Sequence, residues 1–186
     1  NPMNKLHLQQ AINICEEGGV IAYPTEAVFG LGCIPTYEHS VRKILKLKKR
    51  SIQKGLILVA GDIDQLVDFI DFSKIKNPKK VFDTWPGPVT WLIPARKTTP
   101  FWLTGSHSTL AVRVSSDQTI GALCKELGPI VSTSANPSNS CPAKSYHRVR
   151  HYFHREIDYI VPANIANNMN PSEIRDAQTG NTLRQS

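Results

Sequence analysis

Acidic residues are scarce in this chain. Its 15 Asp and Glu stand against 22 Lys and Arg in 186 residues, a formal net charge of +7. That balance points to an anionic partner such as a nucleotide or a nucleic acid. Cysteine is sparse and unpaired: Cys15, Cys33, Cys124 and Cys141 lie far apart, with no C-x-x-C pair. This excludes the disulfide framework of small secreted domains and reads as mostly buried thiols in a reducing compartment. No run approaches the roughly 18 continuous apolar residues of a membrane span, and the first residues hold no apolar signal core. The expectation is a cytoplasmic protein with no membrane partner. With 40% hydrophobic and 20% charged residues, wholesale disorder and fibrous repeats are excluded, and residues 1–186 fit a single domain.

Several standard motifs are also missing. Gly30-x-Gly32 lacks the third glycine and the following helix of a dinucleotide fingerprint, and no G-x-x-x-x-G-K-[ST] occurs. ATP binding, if present, is therefore not of the Walker type. Ser51-x-x-Lys54 matches a β-lactamase-like motif by letter, but it follows a cluster of cations and has no K-T-G partner. His147, His151 and His154 have helical spacing, yet Arg148, Arg150 and Arg155 surround them and no carboxylate accompanies them, which disfavours a metal.

The periodicities that are present alternate between helix and strand. Leu8, Ala11, Ile12 and Cys15 form one helical stripe stopped by Gly18-Gly19, so a helix is expected over about 5–17. Val20 to Tyr23, closed by Pro24, reads as a buried strand, and residues 25–32 as the loop after it. A second helix is expected over about 38–49 with Val41, Ile44 and Leu45 inward and a basic opposite face. Leu56 to Ala60 reads as a strand. Asp62 and Gln65 form a capping-box pattern that opens a third helix, with Ile63, Leu66, Val67 and Ile70 on its core side. Asn77-Pro78 starts a short helix, Trp85 to Pro88 makes a rigid turn, and Val89–Ala95 and Leu110–Ser115 read as strands. Asp117 caps a helix ended by Gly128-Pro129, and Ile130 to Thr133 returns as a strand. A helix near 145–154 is followed by strands at 157–161, 172–176 and 182–185, the last pair turning at Thr179-Gly180-Asn181. The interleaving predicts α/β layers around a mixed sheet.

The strongest local feature is charge. Arg42, Lys43, Lys46, Lys48, Lys49, Arg50 and Lys54 place seven basic residues and no acid in one segment, equal to the net charge of the whole chain. On the helix such a run suits a solvated face as well as a ligand. Arg50 and Lys54 lie past the helix, on a loop entering a strand, where ligands of open α/β sheets usually sit. The loop Ser132 to Asn136 presents hydroxyls and a carboxamide that can serve a ligand or local turn bonding equally. Tyr23-Pro24-Thr25-Glu26 is a third such strand end. Arg113 sits within Leu110 to Val114, where base rates slightly favour an outward, solvated side chain over an inward one against an anion. The helix near 145–154 keeps Tyr146, Val149, Phe153 and Ile157 toward the core and leaves a basic outer face that suits phosphates.

Ala22 to Cys33, Leu47 to Arg50, Lys54 to Leu58, Trp85 to Thr90, Leu110 to Val114, Val131 to Asn136, Asn170 to Asp176 and Leu183-Arg184-Gln185 resemble the YrdC-like family in order and spacing. The resemblance covers essentially the whole chain and is closest to the short bacterial members. It implies a twisted open mixed sheet with flanking helices and a large basic concave cavity. It also implies an adenylating nucleotidyltransferase that converts L-threonine, bicarbonate and ATP to L-threonylcarbamoyladenylate and pyrophosphate. That is the first step toward N6-threonylcarbamoyladenosine at tRNA position 37. Mg2+ would come with ATP, and no metal site is expected in the protein. Carried over by motif, Lys48 and Arg50 are the expected catalytic phosphate contacts, with Lys54, Thr109, Ser134, Asn136 and Arg184 also on the ATP side. Thr25, Arg113, Ser132 and Ser172 are the expected threonine positions. Implied partners are tRNA, through the basic surface, and the downstream transfer proteins TsaB, TsaD and TsaE.

Two departures stand out. Asn139 replaces the glycine that often follows Ser-Ala-Asn-x-Ser, and Val59 stands where longer members carry a histidine. The extra C-terminal domain of those longer members is not expected here. The chemistry fits the resemblance: ATP brings roughly four negative charges and bicarbonate one, so a common site needs several cations. A carbamate formed on threonine attacks the α-phosphorus without a protein nucleophile. The rival from another class is a noncatalytic binder of double-stranded or structured RNA, including tRNA, which would not need the small hydroxyl and amide loops.

Overall fold

The computed structural model describes residues 3–162 and 173–184. Along the chain run α1 (Lys5–Glu16), β1 (Ile21–Pro24), β2 (Phe29–Cys33), α2 (Glu38–Lys48), β3 (Ile57–Ala60), α3 (Pro78–Phe82), β4 (Thr90–Pro94), α4 (Phe101–Thr104), β5 (Thr109–Val114), α5 (Gln118–Leu127), β6 (Ile130–Ser134), α6 (Tyr146–Phe153), β7 (Tyr159–Ile160), β8 (Ile174–Asp176) and β9 (Thr182–Arg184). The strands join one mixed sheet in the order β7-β1-β2-β6-β3-β5-β4-β8-β9, with helices flanking it. Pairs β1/β7, β3/β5 and β4/β8 are parallel, and the closing β8/β9 pair is antiparallel, as the Thr179-Gly180-Asn181 turn predicts.

Three elements depart from the sequence expectations. Only residues 25–28 turn, because Phe29–Cys33 pairs with β1 and is buried throughout. Gly30 and Gly32 look like loop residues in sequence, but a Cβ on either would lie 3.0 or 2.8 Å from the Tyr23 ring. They are strand residues cut back so that an aromatic ring can lie across them. The third helix is a single 3-10 turn over Ile63–Leu66. Its Gln65 side chain accepts from Gly61 N–H at 2.9 Å and donates to the Cys124 carbonyl at 2.9 Å, which ties the turn to α5 instead of extending it. Leu66 and Ile70 are buried as expected, whereas Val67 is 45% exposed. Helix α4, four residues long, is too short to leave a periodicity.

The two faces of the sheet differ in a way that makes the site. On one face Leu31, Leu58, Val112 and Val131 pack with Val41, Ile44 and Leu45 of α2 and Val149 and Phe153 of α6 in the larger core. On the other, Ile21, Tyr23, Val59 and Ile130 are covered by Ala11, Ile12 and Cys15 of α1 and Ile120, Leu123 and Cys124 of α5. That second cover stops partway along the sheet. Gly30, Ile57, Ala111 and Ser132 continue the face beyond it as the floor of a cavity.

Candidate active site

The cavity measures about 790 Å³. Alternation along β5 decides which of its residues enter: Leu110, Val112 and Val114 are buried in the core, while Thr109, Ala111 and Arg113 line the cavity. This overturns the outward placement that base rates favour for Arg113. The buried Arg113 Nε has no hydrogen-bond partner among the described residues. Burial lowers the pKa of its guanidinium, and the nearby Tyr23, Asp117 and Glu26 oppose that shift. A buried donor without a partner costs about 1–3 kcal/mol, an amount that an anionic ligand in the cavity would recover.

Arg50 reaches the cavity because α2 ends abruptly. Lys49 adopts a left-handed conformation (φ 53°), and Arg50 N–H returns to the Leu45 carbonyl at 2.9 Å. Arg50 Nε and Nη2 both donate to the Gly55 carbonyl, at 3.2 and 3.1 Å, which fixes the plane of the guanidinium. Gly55 must be glycine, since its φ is +73° and a Cβ would meet the Thr104 carbonyl oxygen at 2.9 Å. Lys54 lines the same wall at the end of a 3-10 turn, Ile52–Lys54. Ser51 caps that turn by accepting from Gln53 N–H at 3.2 Å, a structural role for the Ser-x-x-Lys pattern.

Lys48, an expected phosphate contact, is placed differently. It is buried behind the cavity wall, where its ammonium donates to the Ser134 carbonyl at 2.5 Å and the Asn136 carbonyl at 3.1 Å. Burial, helped by the Arg50 charge, lowers its pKa to about 8. The loop answers in kind, as Ser138 N–H and Oγ donate to the Lys48 carbonyl at 2.6 and 2.8 Å. Within the loop Ser134 Oγ donates to Asn136 Oδ1 at 2.6 Å, and Asn136 Nδ2 donates to Ser140 O at 3.0 Å. Asn139 has φ +69°, so this chain meets the glycine-like demand of the turn with the side chain that tolerates it next best. Elsewhere on α2 the basic face is not uniformly solvated, because Lys43 pairs with both carboxylate oxygens of Asp158 at 2.8 and 2.9 Å.

Of the expected ATP-side positions, Arg50, Lys54, Thr109, Ser134, Asn136 and Arg184 line the cavity together. Of the threonine positions, Thr25, Arg113 and Ser132 do so, and Ser172 lies outside the described residues. Thr25 Oγ1 donates to the Val28 carbonyl at 2.6 Å, closing the 25–28 turn. Val59 is buried under α5 and does not line the cavity. In the sequence Asp117 reads only as a helix cap. It does cap α5, accepting from Ile120 N–H at 3.0 Å, and its other oxygen accepts from Glu26 N–H at 3.2 Å, hanging the 25–28 turn on α5. The apolar wall of Pro88, Leu92 and Leu183 leaves no signal in the sequence, since those residues converge only in the fold. Among the described residues no three His, Cys, Asp or Glu side chains gather as a metal-ligand set.

A family model for Sua5, YciO and YrdC, described as telomere recombination, matches residues 13–186. The chain belongs to the Sua5/YciO/YrdC family. A relative in Cellvibrio japonicus, named threonylcarbamoyl-AMP synthase, is 45% identical over 177 residues, covering 95% of this chain and 94% of its own. Another of that name, from Baumannia cicadellinicola, is 48% identical over 183 residues, 97% of this chain and 92% of its own. Among solved structures, P. abyssi Sua5 complexed with L-threonine has a TM-score of 0.85 at 27% identity and covers 95% of this chain. This chain spans 52% of that Sua5 chain, about half its length. E. coli YciO shares the fold, with a TM-score of 0.79 at 24% identity over 98% of this chain and 89% of its own. The Sua5/YciO/YrdC fold thus comprises the mixed sheet and flanking helices described above.

Proposed function

We propose that this chain joins L-threonine, bicarbonate and ATP into L-threonylcarbamoyladenylate with release of pyrophosphate, the first step toward the threonylcarbamoyl modification of tRNA. The observation that carries this reading is one cavity holding Arg50, Lys54, Arg113 and Arg184 beside small hydroxyl and amide groups. The reaction needs no protein nucleophile. Threonine and bicarbonate condense to a carbamate and water; a carbamate oxygen then bonds to the α-phosphorus as the bond to pyrophosphate breaks. The protein contributes by holding anions together and neutralising charge that shifts onto the leaving group.

In this reading Arg50, Lys54 and Arg184 take the triphosphate, with Thr109, Ser134 and Asn136 beside it, and Lys48 positions the Ser134–Asn136 loop from behind. Mg2+ belongs to the nucleotide substrate, carried on its phosphates. Arg113 and Ser132 receive the carboxylate end of threonine, and Thr25 and Ser172 are assigned to threonine by motif. The product passes to the downstream transfer proteins TsaB, TsaD and TsaE, which modify tRNA in the cytoplasm. A noncatalytic RNA binder would use the cations but not the hydroxyl and amide lining.

Pyrophosphate release is the test. It should require threonine and bicarbonate jointly, and equal release with either omitted would overturn the proposal. Serine should be the poorer substrate, because the missing methyl contributes roughly 1–3 kcal/mol of apolar contact.

A further inference from the structure

Tyr23 is wholly buried, and its hydroxyl is hydrogen-bonded to Ser132 Oγ. The two residues stand on β1 and β6, with β2 between them. Neighbouring strands lie about 4.8 Å apart, so the phenol spans roughly two strand spacings. It does so only because β2 has no side chain at 30 or 32 to block the ring. Ser132 itself faces the cavity beside Arg113. The fold therefore brings one buried phenol to one cavity hydroxyl and to no other hydrogen-bond partner among the described residues.

We infer that Tyr23 is a positioning residue that sets the polarity of Ser132, so that Ser132 directs its own proton into the cavity toward a carboxylate or carbamate oxygen. The inference rests on the threonine reading of the cavity given above. A phenol is a better donor than an aliphatic alcohol, and the nearby Arg113 charge makes its O–H a stronger donor still. Burial raises the Tyr23 pKa, the hydrogen bond with Ser132 counters it in part, and the phenol stays protonated. When Tyr23 donates, Ser132 Oγ accepts on one side and is left to donate on the other. With the Tyr23 hydroxyl gone, Ser132 is free to turn its proton to a protein acceptor, and the anion loses a preset donor.

The experiment is steady-state pyrophosphate release by wild type, Tyr23→Phe, Ser132→Ala and the double variant. Tyr23→Phe keeps the ring over Gly30 and Gly32, and thermal melting checks its fold. Its KM for threonine should rise about 5-fold or more, in line with losing part of a hydrogen bond to a charged group, while kcat and the KM for ATP stay within about twofold. The double variant should be no worse than Ser132→Ala, since the phenol acts only through that hydroxyl. An unchanged threonine KM in Tyr23→Phe, or losses that multiply in the double variant, would overturn the inference. A second measurement needs no substitution: NMR of wild type with labelled tyrosine should show a Tyr23 hydroxyl proton protected from exchange and close to the Ser132 β protons. A rapidly exchanging proton there would also overturn it. Wild type that releases pyrophosphate without threonine would instead sink the substrate reading itself.

Discussion

The Lys48 ammonium and the Ser134 carbonyl meet in a 2.5 Å hydrogen bond that joins the end of α2 to the end of β6. The Ser138 hydroxyl, 2.8 Å from the Lys48 carbonyl, closes the same junction from the other side. Both contacts are made within the chain, and together they fasten the Ser134–Ser138 segment of the cavity wall to the end of α2.

A proton linkage follows. The folded pKa of Lys48, about 8, lies below its ordinary 10.5, with burial the larger cause and Arg50 the smaller. Between those values the unfolded chain binds a proton that the folded chain does not, so stability rises with pH across the interval. The penalty is fully present below about pH 8. Chemical denaturation of wild type against Lys48→Met from pH 7.5 to 10 should show the difference moving in favour of wild type. Binding of a triphosphate nearby should raise this pKa, so calorimetry near pH 8.5 in buffers of different ionisation enthalpy should detect proton uptake by wild type but not by Lys48→Met.

Arg50→Ala and Lys54→Ala should each lower kcat/KM for ATP by about 10-fold or more, as charge-assisted phosphate contacts in a shielded cleft contribute roughly 1.5–3 kcal/mol. Lys46→Ala is the control, since Lys46 is exposed on α2 and does not line the cavity. Equal losses in all three would show a diffuse field in place of two defined contacts.

Asp117→Ala removes two bonds at once. Loss of the α5 cap should cost about 0.5–2 kcal/mol of stability. Release of the Glu26 amide should loosen the 25–28 turn at the expected threonine end and raise the KM for threonine more than that for ATP. Asp117→Ser, which retains a cap but cannot serve both amides as well, should recover melting temperature more fully than threonine KM.

Binding of tRNA, if carried by α6, should fall steeply with salt and depend little on base sequence. His147, Arg148 and His151 are exposed on that helix, with Arg148 over the Tyr152 ring, whereas Arg150 is half-buried over the Tyr146 ring and donates to the His154 carbonyl at 2.7 Å. Arg148→Ala should therefore reduce the salt slope in a filter-binding titration. Adenylate synthesis should proceed with no RNA present, and turnover that awaits tRNA would favour the RNA-centred reading.

Much of the sheet was legible because its strands are short apolar runs fenced by Gly, Pro and Asp. Helix α2 announced itself through Val41, Ile44 and Leu45 against a basic face. Strand β2 did not, because the residues that make it a central strand, Gly30 and Gly32, answer to a ring on its neighbour. The inward placement of Arg113 is hidden for a similar reason: alternation fixes that it opposes Val112 but not which face is bare, and that depends on where α1 and α5 stop. Lys48 and Arg50 stand two positions apart in one cluster, and only the left-handed turn at Lys49 between them sends one behind the wall and the other into it. The Asp62–Gln65 pattern shows the opposite failure, as a valid cap pattern whose glutamine is drawn off by the Cys124 carbonyl.

The glycines of β2 also bear on how this protein can be made more robust. Each glycine in a strand gives up roughly 0.5–1 kcal/mol relative to alanine, because the unfolded chain has more freedom to lose. Replacing interior glycines is an ordinary route to a higher melting temperature. Here that route is closed at two successive inward positions, where a methyl group would press on Tyr23 from 2.8 to 3.0 Å and push the phenol away from Ser132. Thermostabilisation is better sought at Val67, 45% exposed, or at the surface of α1, where a new side chain has room and the ring keeps its bed.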